Sequence, residues 1–259
     1  SYDCCSGYEC KLRFRNWQCP SLKKYKTVKN TIYMNNIKPV IIFDVNETLM
    51  DMTPLKKKIN ALLDSGKGFR IWFGMLLQYS MVDNSTTNYH DFSELADATL
   101  DMAAAALNVT IKDKDKKEAL QTIKQLSAYD DVPKGLQLLK DNGFRLATLT
   151  NSPHATLSAQ LQSGKITRFF DATLSIDAIK KYKPALETYR WAAEQLSVNT
   201  SDAILVAAHG WDIAGALQAG MQAAFIKRKG QSLYPLAPKP GFIAKDIVDF
   251  ANQIIAHYK

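Results

Sequence analysis

An apolar run, Val40-Ile41-Ile42-Phe43, is followed at once by an acidic residue, Asp44. A run this short and this uniformly apolar matches neither an amphipathic helix face nor a half-exposed strand. It fits a strand buried on both faces, the environment of a parallel sheet. Five such runs occur along the chain: Pro39–Val45, Phe144–Thr150, Ala172–Ser175, Ala203–Ala208 and Ala223–Lys227. Helical patterns separate the later four. Pro133–Asn142 carries Leu136, Leu138 and Leu139 and ends at Gly143, a helix-stop signal; Ser152-Pro153 offers a cap and a first-turn proline for the next helix. Lys183-Pro184 opens another, with Tyr189, Ala192, Ala193 and Leu196 on its apolar side, and Asp212–Ala219 closes at Gly220. Strands alternating with helices at this spacing predict an α/β fold with a doubly wound parallel sheet and right-handed crossovers.

The stretch between the first and second strands is far longer than an ordinary strand-to-helix connection. Thr53-Pro54 begins a helix with Leu55, Ile59, Leu62 and Leu63, and Phe69–Val82, Phe92–Leu107 and Glu118–Leu126 follow with helical period and no strand runs. This predicts an inserted helical domain over 52–132, with the α/β core built from 36–51 and 133–259. Lys112-Asp113-Lys114-Asp115-Lys116-Lys117 is expected to be a solvated connection. Residues 1–35 are expected to be a loosely structured extension, with Met34 standing just before the first strand.

That extension also explains the chain's charge. Residues 1–38 hold eight Lys/Arg against Asp3 and Glu9, leaving only +2 of the formal +8 for the rest. The body has no basic stripe with interleaved aromatics, so nucleic acid is not an expected partner. All four cysteines (Cys4, Cys5, Cys10, Cys19) lie in the extension. A cysteine-free body reads as a cytoplasmic fold, and Cys5 and Cys10 without a second ligand pair are poor evidence for zinc. No run reaches the roughly 18 apolar residues of a membrane span. The extension also lacks the apolar core of a signal peptide. The triplets starting at Asn46, Asn84, Asn108 and Asn199 fit a glycosylation pattern that is common by chance.

The polar residues cluster where chemistry is expected. In an open parallel sheet, ligands bind beyond the carboxyl ends of the strands. Asp44 ends the first strand, Thr150 and Asn151 the second, His209 and Asp212 follow the fourth, and Lys183 opens the helix after the third. One such residue is as readily a helix cap or turn; the set together points to a shared site.

These residues carry a family resemblance. Phe43-Asp44-Val45-Asn46-Glu47-Thr48-Leu49 resembles the first motif of the haloacid dehalogenase superfamily. Thr150-Asn151-Ser152 resembles its second, Lys183-Pro184 its third and Trp211-Asp212 its fourth, in matching order across roughly 38–250. The resemblance implies a Rossmann-like core with a C1-type cap. It is closest to the type II (L-2-haloacid) dehalogenases, through Tyr182-Lys183-Pro184, Tyr189 and Ala207–Ala216.

The implied reaction is hydrolysis of a carbon–halogen bond. Asp44 would attack C2 of a 2-haloacid, form an ester, and be released by water to give a 2-hydroxy acid. Lys183 would offset the charge of Asp44 beside Asp212, and Asp212 would orient the water or pair with Lys183. The substrate carboxylate is expected at the start of the 152–162 helix beside Thr150 and Asn151. Trp211 and Tyr189 are candidates for an apolar pocket, and equally for plain core. The superfamily's phosphatases place a proton-donating Asp two residues after the nucleophile, where this chain has Asn46. They also place an acidic magnesium ligand four residues before the last motif Asp, where it has Ala208. Halide needs no proton, so no cofactor is expected, with Mg²⁺ only under the alternative of a phosphatase. A non-catalytic binding protein is the remaining alternative. Departures from the dehalogenase pattern are Phe73 where an Arg holds the halide, Asn46 for a Tyr, and Ala207 and His209 for a Ser and an Asn. Arg70 stands roughly 200° around the helix from Trp72. His209 is then a candidate base, halide contact or structural histidine. A homodimer is compatible with the resemblance and with the apolar Ile71–Val82.

Overall fold

A computed structural model of the chain describes residues 38–259. The basic, cysteine-bearing extension over 1–35 lies outside the described residues. Six parallel strands form one sheet: β1 (Val40–Phe43), β2 (Leu146–Thr150), β3 (Ala172–Ser175), β4 (Ala203–Ala207), β5 (Gln222–Ile226) and β6 (Phe242–Ala244). Their order is β3-β2-β1-β4-β5-β6. The chain winds outward from β1 to one edge, then returns to the other side of β1 and winds to the opposite edge. The carboxyl end of β1 is therefore the switch point, where open α/β sheets hold their ligands. All four β1 residues are buried, as the apolar run requires.

The five expected strands are present with end shifts of one or two residues. The sixth, β6, is three residues long at the sheet edge with Ile243 exposed, too short to stand out as an apolar run. A last helix, α9 (Ile247–His257), was also not anticipated. It is capped by the Asp246 carboxylate, which accepts from the Asp249 N–H at 2.7 Å.

Between β1 and the helix that leads into β2 stand only helices: α1 (Thr53–Leu62), α2 (Gly68–Thr86), α3 (Phe92–Ala106), α4 (Asp113–Gln121) and a 3-10 turn over Thr122–Gln125. One expectation is corrected here. The charge run at 112–117 is exposed except at Lys116, but it is not a connection, because from Asp113 onward it forms the first turns of α4. Lys116 is buried and bridges Asp97 and Asp101 of α3, both at 2.8 Å, so part of the run ties two helices together.

The later helices are α5 (Asp131–Asp141), α6 (His154–Ser163), α7 (Leu186–Gln195) and α8 (Gly210–Gln218). Three starts differ from expectation. Pro153 is extended and precedes α6 rather than occupying its first turn. Lys183 lies before α7, which opens at Leu186. Asp212 lies inside the first turn of α8, which opens at Gly210, two residues before the expected start. Among the described residues no helix is long and apolar enough to cross a membrane.

Candidate active site

Asp44 leaves β1 with its N–H donating to the Val206 carbonyl at 3.0 Å, so the β1–β4 pairing fixes its backbone. The residue is 5% exposed. The Lys183 ammonium donates to Asp44 Oδ1 at 2.8 Å and to Asp212 Oδ2 at 2.5 Å, bridging two carboxylates that would otherwise repel. Asn151 places that lysine: its Oδ1 accepts from the Lys183 N–H at 2.9 Å, and its amide donates back to the Lys183 carbonyl at 3.4 Å. The Tyr189 hydroxyl donates to Asp212 Oδ1 at 2.6 Å. This needs a glycine opposite: a Cβ on Gly215 would lie 2.6 Å from the Tyr189 hydroxyl.

The other oxygen of Asp44 faces different partners. Oδ2 accepts from the Thr48 hydroxyl at 2.7 Å, and that hydroxyl in turn accepts from the Ala208 N–H at 2.9 Å. His209 Nδ1 stands 3.2 Å from Oδ2, and His209 Nε2 stands 3.0 Å from Glu47 Oε2. The imidazole ring stacks on Trp211 with centroids 5.3 Å apart and lies 6.3 Å from the Phe73 ring. Glu47 also accepts from Lys56 at 2.5 Å and from Gln231 at 2.8 Å. Its φ of 59° is in the left-handed region, which costs a non-glycine residue about 1–3 kcal/mol and persists only where surrounding contacts impose it.

Charge alternates along this row: Asp212, Lys183, Asp44, His209, Glu47, Lys56. Burial alone would raise the Asp44 pKa, but Lys183 and His209 hold it well below the usual carboxylate range. Burial alone would neutralise His209; hydrogen bonds and charge from Asp44 and Glu47 override it and push the imidazole up to about 9. Lys183 is likewise held protonated, because Asp212 and Asp44 outweigh its desolvation. For Asp212, burial and the charge of Asp44 raise the pKa against the pull of Lys183 and Tyr189.

Of the residues singled out in the sequence, Asp44, Lys183, Asp212 and His209 come together, and Asp44, Asn46, Phe73, Thr150, Asn151, Lys183, His209 and Trp211 line one cavity of about 20 Å³. Leu77 and Phe92 from the helical insertion complete its wall. Tyr189 lies outside it and acts on Asp212. Asn46 is locked, donating to the Ser152 hydroxyl at 3.1 Å and accepting from the Gln160 amide at 2.8 Å. The first N–H of α6, on His154, already serves the Asp177 carboxylate at 3.0 Å, and the Thr150 hydroxyl accepts from the Ser152 N–H. Arg70 lines an outer cleft with Lys56 and Lys229. An apolar cavity of about 210 Å³ shares Phe73 and Phe92 with the one beside Asp44. Sequence reasoning missed Thr48 and Glu47. Both stood in the motif run, but nothing there indicated that the turn aims one hydroxyl at Asp44 and one carboxylate at His209.

Among the described residues no group of three or more His, Cys, Asp or Glu could hold a metal. The space between Asp44 and Asp212, where two carboxylates could share a cation, is spanned by the Lys183 ammonium.

Comparison with known proteins gives the family and the fold. The sequence profile of the haloacid dehalogenase-like hydrolases matches residues 41–226. (S)-2-haloacid dehalogenase 4A of Burkholderia cepacia is 30% identical over 200 residues, 76% of this chain and 87% of that protein. (S)-2-haloacid dehalogenase 1 of a Pseudomonas strain, CBS-3, is 32% identical over 202 residues, 76% and 88% of the two chains. In fold, the solved L-2-haloacid dehalogenase of Xanthobacter autotrophicus superposes with a TM-score of 0.76 at 22% identity, over 85% of this chain and 99% of that one. On the matched profile, which spans β1 to β5 and every catalytic candidate, this chain belongs to the family of haloacid dehalogenase-like hydrolases.

Proposed function

We propose that the protein hydrolyses (S)-2-haloacids to 2-hydroxy acids, with Asp44 as nucleophile. The observation that carries this reading is the Asn46 side chain. It sits where a phosphatase of this superfamily needs a proton donor, and it is an amide held by Ser152 and Gln160. A halide leaves without a proton, whereas an alkoxide does not leave readily. The named relatives, two of them at 30% and 32% identity over most of this chain, point to the same substrate class.

In this reading an Asp44 oxygen attacks C2 and expels halide, forming an ester. Lys183 and Asn151 fix the carboxylate for in-line attack, and Asp212, oriented by Tyr189, holds Lys183 in place. Thr48 fixes the second oxygen of Asp44. Thr150, Trp211, Phe73 and Asn46 bound the substrate. Water then attacks the ester carbonyl and restores Asp44 with one oxygen exchanged. Nucleophile, ammonium and water complete the cycle without metal or organic cofactor. Residues 52–132 would serve as a cap over a core of 36–51 and 133–259. The catalytic cavity, about the room of one water, then has to widen to admit substrate. A homodimer and a cytoplasmic setting belong to the same proposal.

The test is free halide released from (S)-2-chloropropionate and (S)-2-bromopropionate, with and without Mg²⁺. Release that is independent of Mg²⁺ and absent from Asp44→Asn is expected. Mg²⁺-dependent phosphate release from a generic ester, with no halide from any haloacid, would overturn the reading.

A further inference from the structure

We propose that His209, held by Glu47, is the base that activates the hydrolytic water, and that it becomes a base only after Asp44 has been esterified. This rests on the reading of Asp44 as the nucleophile and assigns the second half of the reaction.

In the resting site each ring nitrogen faces a carboxylate, Nδ1 toward Asp44 and Nε2 toward Glu47. An imidazole between two carboxylates carries both protons and has no lone pair to offer. It also has no free N–H to give a halide, which removes the halide-contact role. Ester formation changes one side only. The Asp44 charge is gone and its oxygens become weak acceptors, while Glu47 remains. Burial then works against the imidazolium, since only one carboxylate still supports it inside a buried pocket walled by Trp211 and Phe73. The Nδ1 proton is lost to solvent, Nε2–H stays on Glu47, and the Nδ1 lone pair points at the ester. A histidine oriented by a carboxylate is the arrangement that other hydrolases use to deprotonate a nucleophile.

The chemistry balances. Water attacks the Asp44 Cγ, its oxygen forms the new bond, and one proton passes to Nδ1. Collapse of the tetrahedral adduct breaks the bond from Cγ to the substrate oxygen, and Nδ1–H protonates the departing alkoxide. Asp44 is left as a carboxylic acid, which passes its proton to Nδ1 and so restores the carboxylate–imidazolium pair with His209.

Glu47 is fixed for this role as a positioning residue. It adopts a left-handed backbone and is anchored by Lys56 and Gln231 as well as by His209. The charged groups around the ring are Asp44 and Glu47 in contact, Lys183 and Lys56 beyond them, and Arg70 and Lys229 on the cleft wall.

The experiment mixes enzyme with excess (S)-2-bromopropionate and follows halide release and the mass of the intact protein. His209→Gln is expected to release about one equivalent of bromide and then stall, with the ester retained on Asp44 and turnover slowed by ~10²–10⁴-fold. Glu47→Gln tests the couple without removing the ring. Loss of a carboxylate partner makes the imidazolium easier to deprotonate, so the acid limb of kcat against pH is expected to move to lower pH. A merely structural glutamate would leave that limb in place. Full turnover by His209→Gln with no ester, or an unmoved acid limb in Glu47→Gln, would overturn the inference while leaving Asp44 as nucleophile. Bromide release lost from the first equivalent in His209→Gln would also overturn it, by placing the histidine in the displacement step. No bromide from the unaltered protein would overturn the proposed function itself.

Discussion

Asp44 is held between two cations of different kinds. On one side Lys183 reaches it from the segment before α7 and is shared with Asp212. On the other, His209 reaches it from the end of β4 and is shared with Glu47. Both flanks are buried, and both follow the same plan of a cation between two carboxylates. The difference is in what each cation can do. A lysine between two carboxylates stays charged throughout the accessible pH range. A histidine in the same setting is charged only while both carboxylates are. The Lys183 flank is therefore a fixed support, and the His209 flank responds to the charge state of Asp44.

The comparison breaks most completely at its centre. Asp44→Asn keeps the shape of the side chain and removes the proposed nucleophile, and halide release is expected to fall to the uncatalysed background in a direct halide assay. Next comes the fixed flank. Lys183→Met leaves Asp44 and Asp212 as buried carboxylates without their shared cation. Stranding a buried charge in this way costs about 3–5 kcal/mol. Thermal unfolding followed by circular dichroism should show a Tm lower by on the order of 10 °C, with activity lost. If Lys183→Met were as stable as the unaltered protein, the ammonium would not be supporting the pair.

The responsive flank predicts a pH dependence with a definite sign. The His209 pKa rises from an ordinary 6.5 to about 9 in the folded protein. Its contribution to stability is therefore fully present below about pH 6.5 and is lost as pH rises through about 9. The magnitude is on the order of 3 kcal/mol. Asp44 has the opposite sense: its depressed pKa adds stability above the ordinary carboxylate range that is lost as pH falls below it. Chemical denaturation between pH 6 and pH 10 should show the alkaline loss in the unaltered protein and a flatter curve in His209→Gln. Equal slopes would remove the two-carboxylate environment assigned to this histidine.

The two flanks were not equally legible in the sequence. Asp44 and Asp212 could be read because each comes after a buried apolar run, and Lys183 because it stands before a proline ahead of the helix that follows β3; the sheet topology brings these ends together. His209 could be placed at the site but not given partners. Its Glu47 contact depends on a positive φ in the turn after β1, which no hydrophobic period reports. Thr48 escaped for the same reason. The central strands β1, β2 and β4 were legible because they are uniformly buried, and β6 was not because it is short and at the edge. The charge run at 112–117 misled because local composition does not reveal that Asp97 and Asp101, a helix away, partner Lys116. Tyr189, grouped in the sequence with Trp211 as a pocket candidate, proves to act on Asp212, since its reach is set by the close approach of α8 at Gly215.

The smallest expected effect sharpens the comparison at its outer end. Lys56 closes the charge row by pairing with Glu47 at 2.5 Å, but about a third of its side chain is in solvent. Water and salt screen such a pair, so Lys56→Met should cost no more than about 1 kcal/mol in chemical denaturation. The kinetic effect should be more specific than the thermodynamic one. Without Lys56 the Glu47 carboxylate is less compensated and supports the His209 imidazolium more strongly. The acid limb of kcat is then expected to move to slightly higher pH, opposite in sense to Glu47→Gln. It should also move more at low than at high ionic strength. A shift in the same direction as Glu47→Gln would mean that Lys56 holds Glu47 in position rather than tuning its charge, and the row would end at Glu47.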